Sequence, residues 1–301
     1  MIRLGSSTGE RGIVSELLGA SRPFSWINTA LPFLAAALWL QHRITLPLVL
    51  GVLFFLFPYN LLLYGVNDLY DFESDRRNPR KGGIIEGGLI PPSHAARLWL
   101  AIALTTLPLI AAISWFDPAG GLALIGTSLV ALCYSMPPLR AKEVPGLDAL
   151  TAALAFVLPA LSGAIIAGAA LDRFPWLYLA AFLTWGIASQ ALGAIQDVPF
   201  DRQAHIRSIA TQLGGRATAA LATLGYLVAV ALVAVPGGLS LLAAAALAPY
   251  ALIAALCLLD DPFRWARRAW RGFLGLNLAA GFVITMVLLQ TGAVSLIREV
   301  P

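Results

Sequence analysis

Charge is scarce in this sequence. Asp, Glu, Lys and Arg make up only 12% of its 301 residues, whereas hydrophobic residues make up 59% and mean hydropathy is +0.80. Soluble domains carry about 25% charged residues, so a soluble domain with a large core is excluded and a polytopic membrane protein is indicated. Cysteine is nearly absent. Cys133 and Cys257 both lie inside apolar runs, which excludes a disulfide framework and assigns them to packing. Histidine is nearly as rare, and His42, His94 and His205 fall in loops or at span ends without zinc-like spacing. Basic residues outnumber acidic ones, giving a net charge of +4 and a pI of about 9.3. They sit in short loops between apolar runs and form no continuous basic surface, so nucleic acid is not the expected partner. A cleavable signal is not expected either, since Arg3, Glu10, Arg11 and Glu16 precede a first apolar run of spanning length. With no low-complexity segment and no linker, residues 1–301 read as one domain.

What the sequence has is apolar length. Residues 10–22 place Ile13, Val14, Leu17 and Leu18 at helical spacing between charges, the pattern of an interfacial helix in an N-terminal segment 1–23. Nine spanning helices are predicted near 24–41, 45–66, 95–115, 119–136, 148–169, 175–195, 217–235, 239–259 and 272–292. The fold class is therefore all-α. With the N-terminus inside, 17 of the 20 Lys and Arg fall in inner segments, and only Arg43, Arg173 and Arg298 fall outside. That asymmetry follows the positive-inside rule and predicts a multi-pass protein of the plasma membrane, its N-terminus and acidic loops cytoplasmic. The outer loops are short turns, whereas the inner loops after the second and sixth spans are longer and acidic, a weak two-fold echo.

The first acidic loop is the stretch around which the chain is organised. Asn67 to Gly83 reads NDLYDFESDRRNPRKGG, directly after the uncharged run Ile44 to Val66. If the helix continues through the acids, Asn67, Asp71 and Asp75 lie four apart on one face, with Asp68 beside it. Carboxylates stacked this way repel one another, and near a membrane they also lose hydration. A divalent cation relieves both costs, and oxygen-only ligands suit a hard ion such as Mg²⁺ that keeps places for water and a substrate phosphate. After the sixth span, QDVPFDRQAHIRSIATQLGG brings Asp197 and Asp201, four apart, with Arg202 and Arg207 behind them. Pro199 disfavours an unbroken helix there, so the span is expected to end near Asp197 and a new turn to open at the proline. A third inner loop, YSMPPLRAKEVPG at 134–146, carries Tyr134, Arg140 and Lys142 to the same side. Solvated caps at span ends explain either acidic pair alone; two such pairs on one membrane face, each trailed by arginine, point to two halves of a metal–diphosphate site.

These residues carry a resemblance. NDLYDFESD resembles the first aspartate-rich motif, NDxxDxxxD, of the UbiA superfamily of intramembrane prenyltransferases; QDVPFD resembles the second motif, DxxxD, and YSMPPLRAK the family's YSxPPxxxK loop. SRPFSWINTALPF at 21–33, NPRKGG at 78–83, ASQALGAIQDV and SIATQLG resemble the lycopene elongase branch. The resemblance implies a bundle of nine transmembrane helices with an active-site cap on the cytoplasmic side. It implies Mg²⁺, as two ions, held by Asn67, Asp68, Asp71 and Asp75 on one side and Asp197 and Asp201 on the other. Arg22, Arg80, Lys81, Arg140 and Lys142 are the implied diphosphate contacts. Tyr64, Tyr70 and Tyr134 are candidates to stabilise an allylic cation, by about 2 kcal/mol each when desolvated. The implied reaction adds five-carbon units from dimethylallyl diphosphate to the ends of lycopene, or a related linear carotenoid, giving fifty-carbon precursors such as flavuxanthin. Asp71, Asp75, Asp197, Asp201 and Tyr134 are the implied catalytic set, and a carotenoid-enzyme partner is left open. The alternative is a UbiA-type enzyme acting on an aromatic or quinone precursor; a secondary transporter fits less well, because its coupling acids belong near the bilayer midplane.

Overall fold

A computed structural model describes residues 12–41, 43–76, 88–168, 176–203, 206–259 and 261–299. Among the described residues every regular element is helical, and nine helices are long and apolar enough to cross a membrane. They are Ile13–Gln41, Leu46–Tyr70, Pro92–Phe116, Pro118–Ser135, Leu147–Ile166, Trp176–Ile195, Gly215–Ala234, Ser240–Leu258 and Pro262–Thr291. The chain is a multi-pass membrane protein, and its outward apolar side chains, such as Leu104, Leu224, Leu252 and Phe282, have lipid as their solvent.

Consecutive spans pack side by side, and the ninth returns to the first, where Trp39 Nε1–H donates to Thr291 Oγ1 at 3.2 Å. The first span also packs on the fifth. Gly163 makes that approach possible: a Cβ there would stand 2.2 Å from the carbonyl oxygen of Phe33. Small residues at helix contacts are the expected device in lipid, where no hydrophobic force draws apolar helices together. The buried side chains form two clusters. One gathers Phe33, Phe54, Phe55, Tyr59 and Leu124 from the first half of the chain, and the other gathers Leu192, Tyr226, Tyr250 and Phe273 from the second.

The first span begins as a separate helix, Ile13–Ala20, with Ile13 and Val14 exposed. A turn at Ser21–Arg22 and a 3₁₀ turn at Pro23–Ser25 then lead into Trp26–Gln41. His94 Nδ1 lies 2.7 Å from the Glu16 carboxylate, which ties that first helix to the start of the third span.

The ninth span differs from expectation. It starts at Pro262 rather than near 272, so the arginine-rich stretch 264–271, read as loop, is helix. The reason is local: Asp261 Oδ1 accepts from the backbone N–H of Phe263 at 3.0 Å and of Arg264 at 3.4 Å, and Pro262 fills the first helical position, where its missing N–H costs nothing.

Candidate active site

The first acidic motif rides on a span that is not a plain α-helix. Leu46–Leu56 gives way at Phe57–Pro58, and Leu61–Gly65 form a π-helical turn before Val66–Tyr70. Pro58 supplies no N–H, and Asn60 fills the gap in the ladder: its side-chain amide donates to the carbonyls of Phe55 (2.8 Å) and Leu56 (2.7 Å) and to Thr29 Oγ1 (2.8 Å). A π turn rotates the helix beyond it, and such turns concentrate at functional sites. Asp71 itself sits in a turn, yet its N–H donates to Asn67 O at 3.0 Å and that of Asp75 to Asp71 O at 2.8 Å. The four-residue register of Asn67, Asp71 and Asp75 thus survives the break.

Two cationic loops close on this motif. Arg22 Nη2 donates to Asp68 Oδ1 at 2.8 Å, and its guanidinium lies 4.3 Å over the ring of Tyr64. The other oxygen of the buried Asp68 accepts from Gly88 N–H at 2.8 Å. From the loop after the fourth span, Lys142 Nζ donates to Asn67 Oδ1 at 3.1 Å and to the Asp71 carboxylate. Arg140 donates to Asp71 Oδ1 at 3.3 Å, to the Tyr70 carbonyl at 3.4 Å and to Glu143. Burial pushes the Lys142 ammonium below the usual lysine range, and Asp71 only partly offsets this. Burial acts the same way on Arg140, but Glu143 and Asp71 outweigh it and hold that guanidinium above its ordinary value.

Backbone strain marks the same two loops. Among the described residues only Arg22 (φ 49°) and Arg140 (φ 38°) are non-glycine residues in the left-handed region. Each such residue costs roughly 1–3 kcal/mol and persists where its surroundings over-determine it. Both belong to the clamp on the first motif.

The second motif behaves as its proline requires. The sixth span ends at Ile195, Asp197 lies in a turn, and Val198–Gln203 forms a short helix with Pro199 in its first turn. The Asp197 carbonyl accepts from Phe200 and Asp201 N–H, each at 2.9 Å. Asp148, which sequence reasoning passed over, joins the loops: its carboxylate accepts from Gly146 N–H at 2.7 Å and from Ile209 N–H at 2.8 Å, just beyond the second motif. An aspartate opening an apolar helix looked like an ordinary N-terminal acid. Ser135, also missed, donates to Asn67 Oδ1 at 2.9 Å. Tyr134 Oη accepts from Gln190 Nε2 at 3.4 Å, and Tyr70 is half-buried. Arg80 and Lys81, with the rest of NPRKGG, lie outside the described residues.

The acids do not form a ready cage. Among the described residues no three His, Cys, Asp or Glu side chains gather closely enough to hold an ion. Instead, a lysine ammonium occupies the oxygen donors of Asn67 and Asp71. That donor set, amide and carboxylate oxygens that already hold a positive charge, fits Mg²⁺ in its chemistry.

The pattern of the UbiA prenyltransferase family matches residues 29–279. The chain belongs to that family, and it is a prenyltransferase. A lycopene elongase/hydratase of Corynebacterium glutamicum is 43% identical over 91% of this chain and 96% of its own length. A C(50) beta-cyclic carotenoids biosynthesis protein, LbtBC, of Dietzia sp. is 42% identical over 96% of this chain and 67% of its own. Within the family, the chain thus falls in the lycopene elongase branch. The fold matches a UbiA homolog from Archaeoglobus fulgidus, a structure bound to DMAPP and Mg²⁺, with TM-score 0.66 and 22% identity over 90% of this chain and 99% of that one.

Proposed function

We propose that this UbiA prenyltransferase is a lycopene elongase that transfers dimethylallyl units from dimethylallyl diphosphate to the ends of lycopene, at a site facing the cytoplasm. The observation that carries the site is the Lys142 ammonium seated on Asn67 and Asp71, with Arg140 on Asp71 and Arg22 on Asp68 beside it. The relatives named lycopene elongase/hydratase supply the acceptor.

Asn67, Asp68, Asp71 and Asp75, with Asp197 and Asp201 opposite, would hold Mg²⁺, which when bound neutralises the leaving diphosphate. Lys142 and Arg140 turn their N–H groups from carboxylate to phosphate oxygens, and Arg22 does the same beside Asp68; Arg80 and Lys81 complete the proposed contacts. The C1–O bond of the donor breaks, and the terminal double bond of lycopene supplies the electron pair of the new C–C bond. The resulting tertiary cation is quenched by loss of a proton or capture of water. Tyr134 and Tyr70 offer ring faces to the allylic cation, whereas one face of Tyr64 is already covered by Arg22. Water must be kept from that cation, and a site closed between apolar spans serves this.

The spans suit a hydrocarbon acceptor. Several of their polar groups are taken up within the protein: Thr29 by Phe55 O at 2.7 Å, Tyr226 by Ser189 at 3.0 Å and Tyr250 by Asn277 at 2.8 Å, although Trp185 Nε1 is buried without a partner. A quinone precursor would call for polar groups left to orient its head. The test is mass spectrometry of pigment from membranes containing this protein, lycopene, dimethylallyl diphosphate and Mg²⁺. Product heavier by five-carbon units, and absent with EDTA, is expected; unchanged lycopene alongside transfer to an aromatic acceptor would refute the branch reading.

A further inference from the structure

A cavity of about 450 Å³ lies between the short helix Val198–Gln203, which carries Asp201, and the first turns of the ninth span. Arg264, Arg267, Arg268 and Arg271 line one wall, and Phe200 faces them across it. None of the four arginines takes part in the clamp on the first motif. Their spacing of three, four and seven residues puts them on one helix stripe about 10 Å long. Among the described residues no carboxylate pairs with any of them, and all four are exposed. Four like charges along one stripe repel, and an anion seated against them relieves that repulsion. Arg268 is further fixed by stacking 5.0 Å over the ring of Trp265.

We propose that this cavity binds the phosphate headgroup of an anionic membrane lipid. Phosphate is the anion whose oxygens match a guanidinium fork, and several forks at once match a phosphodiester better than a lone carboxylate. Position selects a lipid over a soluble phosphate. The stripe occupies the opening turns of a membrane span, where lipid headgroups lie, while Trp265 and Trp270 of the same turns pack inward against the cluster of Leu192 and Phe273. Phe200 and Phe263 add apolar wall against which the glycerol and first methylenes can lie. A lipid seated there joins the ninth span to the helix bearing Asp201, so it steadies the second acidic motif from outside the reaction centre.

Native mass spectrometry of the purified full chain tests this, with phosphatidylglycerol, phosphatidylcholine and inorganic pyrophosphate as probes. Selective retention of phosphatidylglycerol is expected. Arg267→Gln and Arg271→Gln should each weaken it about fivefold, and Arg267→Lys, which keeps the charge but not the fork, should restore part of the loss. Thermal melts without lipid, unchanged between native chain and variants, confirm that the variants fold. Equal retention of phosphatidylglycerol and phosphatidylcholine would overturn the proposal, as would equal retention by native chain and both Gln variants. Displacement of phosphatidylglycerol by pyrophosphate at micromolar concentration would assign the cavity to a soluble diphosphate and overturn the lipid reading.

Discussion

Arg22 and Arg140 share a left-handed backbone that side chains rarely adopt, and both reach a carboxylate of the first motif. In each case the chain turns sharply so that a guanidinium at a span end can face the acids. Glycine at position 140 would relax the backbone and remove the grip. Arg140→Gly is therefore expected to leave the melting temperature nearly unchanged while raising the donor KM about tenfold, the loss of one charged hydrogen bond. Lys142→Ala should do likewise, because its ammonium is shared between Asn67 and Asp71; an unchanged donor KM in both variants would reduce the pair to topological anchors. Asp71→Ala strips the motif of its central carboxylate and should lower turnover on the order of a hundredfold or more, with the protein still folded in the membrane. At this scale the sequence named the charged players, since rare charges among apolar runs stand out. It did not disclose the strained backbone at Arg22 and Arg140, because arginine carries no signal for positive φ. It also missed Asp148, whose role depends on Ile209, 61 residues away.

Among the elements, proline was the most legible signal. Pro199 was expected to end the sixth span near Asp197, and it does. The ninth span was expected only near 272, whereas the Asp261 cap and Pro262 open a helix ten residues earlier that carries the arginines as a stripe. The π turn at Leu61–Gly65 left no trace in an apolar run with no change of composition. Two substitutions probe how elements hold the site. Asp148→Ala leaves two backbone N–H groups without their charged acceptor and should cost roughly 3 kcal/mol. Because it untethers Ile209 from the Gly146 turn, it should also raise the donor KM; Asp148→Asn should recover part of both, and a KM unmoved by either would deny the tether. Gly163→Ala sets a methyl 2.2 Å from a backbone oxygen of the first span, which cannot yield as a side chain can. It should lower stability by about 1–3 kcal/mol, read as a lower thermal midpoint in detergent.

For the whole molecule, length and hydropathy were enough to count the spans, because a bilayer demands runs of about 20 apolar residues and backbone groups satisfied within each helix. The buried side chains divide into two clusters, one drawn from the first five spans and the other from the last four. How the halves meet was not legible, since it depends on which small residues oppose one another, as Gly186 does Ala153. In the proposed mechanism both motifs hold one metal–diphosphate. Equilibrium binding of dimethylallyl diphosphate to the purified chain tests it, with Mg²⁺ or EDTA, in the native protein and in Asp71→Ala and Asp197→Ala. Binding that requires Mg²⁺ and weakens at least about tenfold in both variants is predicted. Equal binding in EDTA, or loss in one variant alone, would contradict a shared site.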